Sequence, residues 1–213
     1  MDVGRYVEAK ATCESVSRDY ADSEWLPSYA KWLLIGVMCE DRSDPSITLG
    51  LVAEMRQDPV HDDIGYQCQL SLWESCIRVA KGDNAGAEQL LTGIVAKPPN
   101  DYGIVMEAYY HRACLRIVLG RFDEAKADIE KIGKPRVYLR YLALGDWHYY
   151  QDNYAEAAKN YEEALTRMPR IRTPNSEPLR AFKRLAMSYS RLGSKDQEAA
   201  TRQKLADFEA AHK

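Results

Sequence analysis

The sequence predicts an all-α chain built as a solenoid of stacked antiparallel helix hairpins. Apolar residues recur at spacings of three and four along most of its length. Short turns rich in Gly, Asp and Asn interrupt that pattern. Similar stretches then return at a period of roughly 34 residues, which is the mark of a repeat architecture.

The composition is compatible with this and excludes several alternatives. Of 213 residues, 46% are hydrophobic and 29% charged, with a formal net charge of −3. That is too apolar for a disordered chain and enough to bury a core. The longest nearly uninterrupted apolar stretch, Trp32 to Cys39, is far shorter than the roughly 20 residues that span a bilayer. No membrane span is therefore expected, and no basic-then-apolar N-terminal segment marks an export signal. Near-neutral charge argues against nucleic acid as a partner. Five cysteines (Cys13, Cys39, Cys68, Cys76, Cys114), odd in number and without a C-x-x-C pair, fit reduced thiols better than a disulfide framework. A cytoplasmic location follows, or the periplasm of a bacterium if an export segment has been removed.

Taken in order, residues 1–22 carry Gly4-Arg5-Tyr6, Ala9, Cys13 and Val16, the pattern of a second helix without its first. Residues 23–60 open with a good first helix, Trp32-x-x-Ile35-Gly36-x-x-Cys39, whose partner from about Pro45 to Gln57 is poorly patterned. Residues 64–100 show a degenerate first helix, then Gly82-Asp83-Asn84, Ala87, Leu91 and Ile94, closing at Pro98-Pro99. Residues 102–136 carry Tyr109, Gly120-Arg121-Phe122, Ala125, Ile129 and Ile132, with Gly120 suited to a left-handed helix end. In this copy Arg112-Ala113 stands where the next has Leu144-Gly145, which weakens its first helix. Residues 137–170 are the clearest copy: Tyr141-x-x-Leu144-Gly145-x-x-His148, a Gln151-Asp152-Asn153 break, then Tyr154, Ala157, Tyr161, Ala164 and the stop at Pro169. Gly145 and Ala157 are small where two helices must approach, and the tyrosines fill the space around them. Residues 177–213 repeat the pattern through Phe182, Leu185-Ala186, Tyr189, Gly193 and Ala199. The last helix, Asp196 to His212, is polar apart from Leu205 and Phe208, as the end of a solenoid must be.

The 137–170 copy resembles the tetratricopeptide repeat, with His148 at a position where that family usually has tyrosine. The resemblance extends through the other copies to nearly the whole chain. It implies a right-handed superhelix in which first helices line a concave groove and second helices form the outer wall. The spacing is uneven: the period shrinks to 32 between Met106 and Tyr138, through Lys131 to Pro135, and stretches to 41 between Tyr138 and Leu179, through Pro169 to Ser176. Such insertions map to loops on one face. The uncovered helix at the beginning has two readings: the chain is a fragment of a longer array, or a second copy covers that face. The stretch Asp19-Tyr20-Ala21-Asp22-Ser23 resembles repeat boundaries in bacterial envelope members of the family.

No catalytic constellation emerges, so the chain is expected not to be an enzyme and to need no cofactor. No metal site is expected either, because His111 and Cys114 on one helix face supply only two ligands. What remains is surface. Carried over by register, the resemblance implies a peptide-binding groove lined by Gln69, Leu72, Glu107, Tyr110, Cys114, Leu139, Leu142, Asp146, Tyr149, Arg180, Lys183, Arg184 and Met187. Leu72 and Leu142 are equally explained by packing. Charge is uneven: residues 1–65 hold 13 acids and 6 bases, while residues 166–195 hold 8 bases against Glu177 alone. The expected function is a non-enzymatic scaffold binding a protein or peptide with an acidic segment, since guanidinium groups suit carboxylates. The alternative is a self-associating structural array acting through its ends. Family members that clamp a heat-shock protein's terminal carboxylate use first-helix asparagines, and every asparagine here falls elsewhere.

Overall fold

The computed structural model describes residues 3–23, 26–41, 44–58, 63–134, 136–168 and 176–211. Among these, all regular structure is helical: α1 (Val3–Asp19), α2 (Leu26–Asp41), α3 (Pro45–Arg56), α4 (Ile64–Ala80), α5 (Asn84–Ala96), α6 (Tyr102–Val118), α7 (Phe122–Lys131), α8 (Val137–Tyr149), α9 (Tyr154–Arg167), α10 (Ser176–Arg191) and α11 (Lys195–Ala211). The chain divides into two compact units, Met1–Val105 and Met106–Lys213.

In the first unit α1 packs on α2, α4 packs on α5, and α3 packs on both α2 and α4. Ile35, Val52, Met55, Leu70 and Ile77 form the core, with Trp32, Tyr66 and Trp73 against it. Trp32 stacks on Tyr66 at 3.9 Å between ring centroids. The poorly patterned partner after Trp32 is nevertheless a helix, α3. Its start is fixed locally: the Asp44 carboxylate accepts from the Ser46 N–H at 2.8 Å, and Pro45 suits a first helical position. Thr48, Val52 and Met55 then supply the buried face that the sequence pattern understated. Of the residues singled out on α1, Cys13 and Val16 are half-buried, while the side chains of Tyr6 and Ala9 lie outside the described residues.

In the second unit α8 packs on α7 and α9, and α10 on α9 and α11. The α8–α9 approach is close because Gly145 has no side chain and Ala157 has almost none; Ala157, Ala164 and Tyr161 are all buried. The same turn device recurs in both units. Gly82, Gly120, Asp152 and Gly193 each have positive φ, at 82°, 75°, 59° and 71°, two residues before α5, α7, α9 and α11. Only glycine, or less readily Asp or Asn, sits there at small cost, so one backbone turn repeats four times through different side chains. Asp83 and Asn153 follow it as side-chain N-caps.

Arg112, expected to weaken its helix, instead anchors it. Its Nε and Nη2 donate to Asp128 on α7 at 2.9 and 2.6 Å, and Arg116 Nη1 reaches the same carboxylate at 2.8 Å. This buried pair stands at the position where the next repeat has Leu144, and α6 runs for 17 residues. On α11, Leu205 and Phe208 are half-buried, Thr201 is buried and Phe182 meets Phe208 at 6.0 Å. Pro135 and the stretch 169–175, where the period was expected to change, lie outside the described residues.

Candidate functional site

Glu177, Arg180, Arg184, Met187 and Arg191 follow one another at three- and four-residue steps along α10, which sets them on one stripe of the helix. Ala181, Leu185, Ala186, Ser188 and Tyr189 occupy its buried side. The stripe meets α6 and α8 around a single buried carboxylate. Asp146, with its side chain 3% exposed, accepts from the Tyr161 hydroxyl at 2.7 Å and from Arg180 Nη2. Arg180 also donates to the Tyr110 hydroxyl at 2.8 Å and lies 3.5 Å from Cys114 Sγ. It therefore ties three helices together through one side chain. Burial works against the Arg180 charge, but Tyr110 and Cys114 outweigh it, and its pKa lies above the ordinary arginine value. Burial likewise pushes the Tyr110 and Tyr161 phenols up, which keeps both hydroxyls protonated.

Arg184 is placed differently. Its Nε is 3.8 Å from Asp146 Oδ1, close enough for attraction but not for a hydrogen bond. Its guanidinium lies over the rings of Tyr149 and Tyr150, at 5.0 and 5.3 Å, and Nη2 donates to the Tyr150 hydroxyl at 3.2 Å. Tyr149 also meets Tyr154 edge-on at 5.3 Å. Met187, one turn along α10, is 42% exposed, and Lys183 projects outward, 4.0 Å from Glu209.

The residues expected in a groove thus fall into distinct places. Tyr110, Leu139, Leu142 and Asp146 are buried, as is Leu72 in the first unit. Glu107 is half-buried and pairs with Arg136 at 3.0 Å. Gln69 is half-buried on α4. Cys114 and Arg180 join the Asp146 cluster, Tyr149 and Arg184 are half-buried beside it, and Lys183 and Met187 are exposed. Tyr150, 41% exposed, belongs to the same face, although the repeat pattern marked no role for it. Among the described residues, no group of three or more His, Cys, Asp or Glu side chains is placed to hold a metal ion.

The class is set by the fold: an array of helix hairpins offering side chains from successive first helices. Residues 107–132 and 139–171 each match a family model described as the tetratricopeptide repeat, so the chain carries tetratricopeptide repeats there. No curated protein matches it. Among solved structures it is similar to BtubC (BKLC) from P. vanneervenii, at 15% identity and a TM-score of 0.62, covering 99% of this chain and 92% of that one. A tetratricopeptide repeat protein from Parabacteroides merdae aligns at 17% identity and a TM-score of 0.57, over 97% and 74% of the two chains. MamA from Desulfovibrio magneticus aligns at 14% and 0.50, over 86% and 96%. At such identities the likeness is one of fold. Tetratricopeptide-repeat proteins in general bind protein partners as scaffolds and are not catalysts. Among the described residues, no helix is long and apolar enough to cross a membrane.

Proposed function

We propose that the second unit is a non-enzymatic docking scaffold, and that the solvent-facing stripe of α8 and α10 holds a protein segment with acidic character. The observation that carries this reading is the charge left at that surface. Between them α8 and α10 contain Arg140, Arg180, Lys183, Arg184 and Arg191 against Asp146 and Glu177. Asp146 is buried under Arg180, and Glu177 accepts from the Tyr138 hydroxyl at 3.2 Å. A basic surface interleaved with Tyr149, Tyr150 and Met187 has the composition of an interface, where aromatic residues, Met and Arg are enriched. Apolar contact supplies most of the binding free energy, and the cations orient an acidic partner and speed its encounter.

Arg180 is a poor target for testing this, because reversing it would set a carboxylate against buried Asp146. Lys183→Glu combined with Arg184→Glu leaves the Arg180–Asp146 pair in place, and because Arg184 Nε lies 3.8 Å from Asp146 the melting temperature is measured beside the affinity. A labelled glutamate–leucine peptide should bind the intact chain saturably by fluorescence anisotropy and weaken as salt is added. The double reversal should cost about tenfold or more in affinity, roughly 1.4 kcal/mol. Absence of saturable binding to the unaltered chain, or equal binding by the reversed one, contradicts the reading. Association of copies through their ends is the second reading that the charge asymmetry allows. Light scattering over a dilution series decides it, and a concentration-independent monomer removes it.

A further inference from the structure

The Arg184 corner has features that the rest of the basic stripe lacks. Both terminal nitrogens of Arg180 are committed within the chain, to Tyr110, Cys114 and Asp146, even though 39% of its side chain reaches solvent against 25% for Arg184. Arg191 lies over the Tyr154 ring at 6.0 Å, and Lys183 sits within reach of Glu209. Arg184 is held in place by ring faces and by the attraction of Asp146, yet it gives only one hydrogen bond, to Tyr150. A guanidinium stacked on rings keeps its N–H edge for an acceptor in its own plane, and the acceptor that matches that fork is a carboxylate. Beside it stand the exposed Tyr150 ring and the exposed Met187 thioether. Sulfur and ring edges of this kind favour an aromatic side chain.

We propose that this corner is the anchor of the docking face and takes a peptide segment in which one carboxylate adjoins an aromatic side chain. The proposal rests on the scaffold reading above and narrows it. Asp146 is the positioning residue: by binding Arg180 outright and holding Arg184 at arm's length, it leaves one open fork. The face therefore reads a single acid in an apolar context, and a run of acids gains little beyond the first.

The test uses the full chain and short labelled peptides in a Gly-Ser background. One peptide places Phe next to Glu, a second separates the two by the length of the peptide, and a third is polyglutamate. The adjacent pair should bind about tenfold more tightly than either of the others. Arg184→Gln should remove about tenfold of that affinity, and Lys159→Gln, on α9 away from the stripe, should change it less than about twofold. Arg184→Lys keeps the charge and the fold but loses the fork; it should bind weakly at an unchanged melting temperature, separating recognition from stability. No preference for adjacency, full binding by Arg184→Lys, or equal losses at Arg184 and Lys159 overturns the proposal. Saturable binding of the glutamate–leucine peptide without that preference leaves the scaffold reading standing and removes this one alone. Failure of every peptide removes both.

Discussion

A β-carbon added at Gly145 would lie 2.5 Å from Cε1 of the buried Tyr161 ring. The missing side chain lets α8 and α9 close on that ring, and the ring's hydroxyl reaches Asp146, the residue after the glycine. Asp146 in turn holds Arg180, so the close approach at Gly145 and the polar cluster around Asp146 are one structure.

Gly145→Ala should destabilise by about 1–3 kcal/mol, because a ring that is 1% exposed has nowhere to move. Tyr161→Phe should cost about 1–2 kcal/mol, by leaving Asp146 short of a donor rather than by opening a cavity. Urea melts measure both, and an Ala variant as stable as the unaltered chain contradicts the account.

Ala157 is fully buried on α9, facing α8. Ala157→Leu should therefore push the helices apart and cost about 1–3 kcal/mol. Glu163 is half-buried and pairs with Arg167 one turn on. Glu163→Leu should still fall within about 0.5 kcal/mol of neutral, since such pairs contribute little. Equal effects in a urea melt would mean the helix faces are misassigned.

Asp128→Asn should be the most damaging polar substitution, at about 3–5 kcal/mol. It leaves Arg112, with a side chain 10% exposed, without its charge partner. Thermal unfolding with a loss below about 1 kcal/mol would contradict the anchoring role given to the pair.

His111 contributes a pH dependence. Burial, and secondarily Arg180, depresses its pKa from 6.5 to about 4. The folded state keeps it neutral, whereas the unfolded chain takes up a proton below about pH 6.5. Stability therefore falls as pH drops from 6.5 toward 4, and above 6.5 this group has no effect. His111→Gln should flatten that part of a stability–pH curve, and an unchanged slope would show that the imidazole charges freely in the folded chain.

The helix pairing was legible because it depends on local spacing. Tyr141, Leu144 and Gly145 set against Ala157 and Tyr161 announce two faces that must meet, and the glycines before α5, α7 and α11 announce the turns. Asp152 performs the same turn without glycine, and the Gln151-Asp152-Asn153 break announced it through side chains that suit turns. Arg112 defeated the pattern for a different reason: its partner is 16 residues away on another helix, and a hydrophobic template treats any charge as a fault. The site was legible only in outline. Register assigns a residue to a helix face, but the next helix decides whether that face stays open. Tyr110 and Leu139 are covered, whereas Tyr149 is half-buried and Met187 exposed. Tyr150 stands just beyond α8, where the repeat template stops counting, and only the reach of Arg184 across from α10 gives it a role.

The most direct measurement is site-specific photo-crosslinking in the native host, with the reactive side chain introduced either at Met187 on the docking face or at exposed Lys159 on α9. The account predicts a discrete protein adduct from position 187, diminished by Lys183→Glu with Arg184→Glu, and none of comparable yield from 159. Equal adducts from both positions, or an adduct from 159 alone, would contradict the claim that this face is where the protein meets its partner.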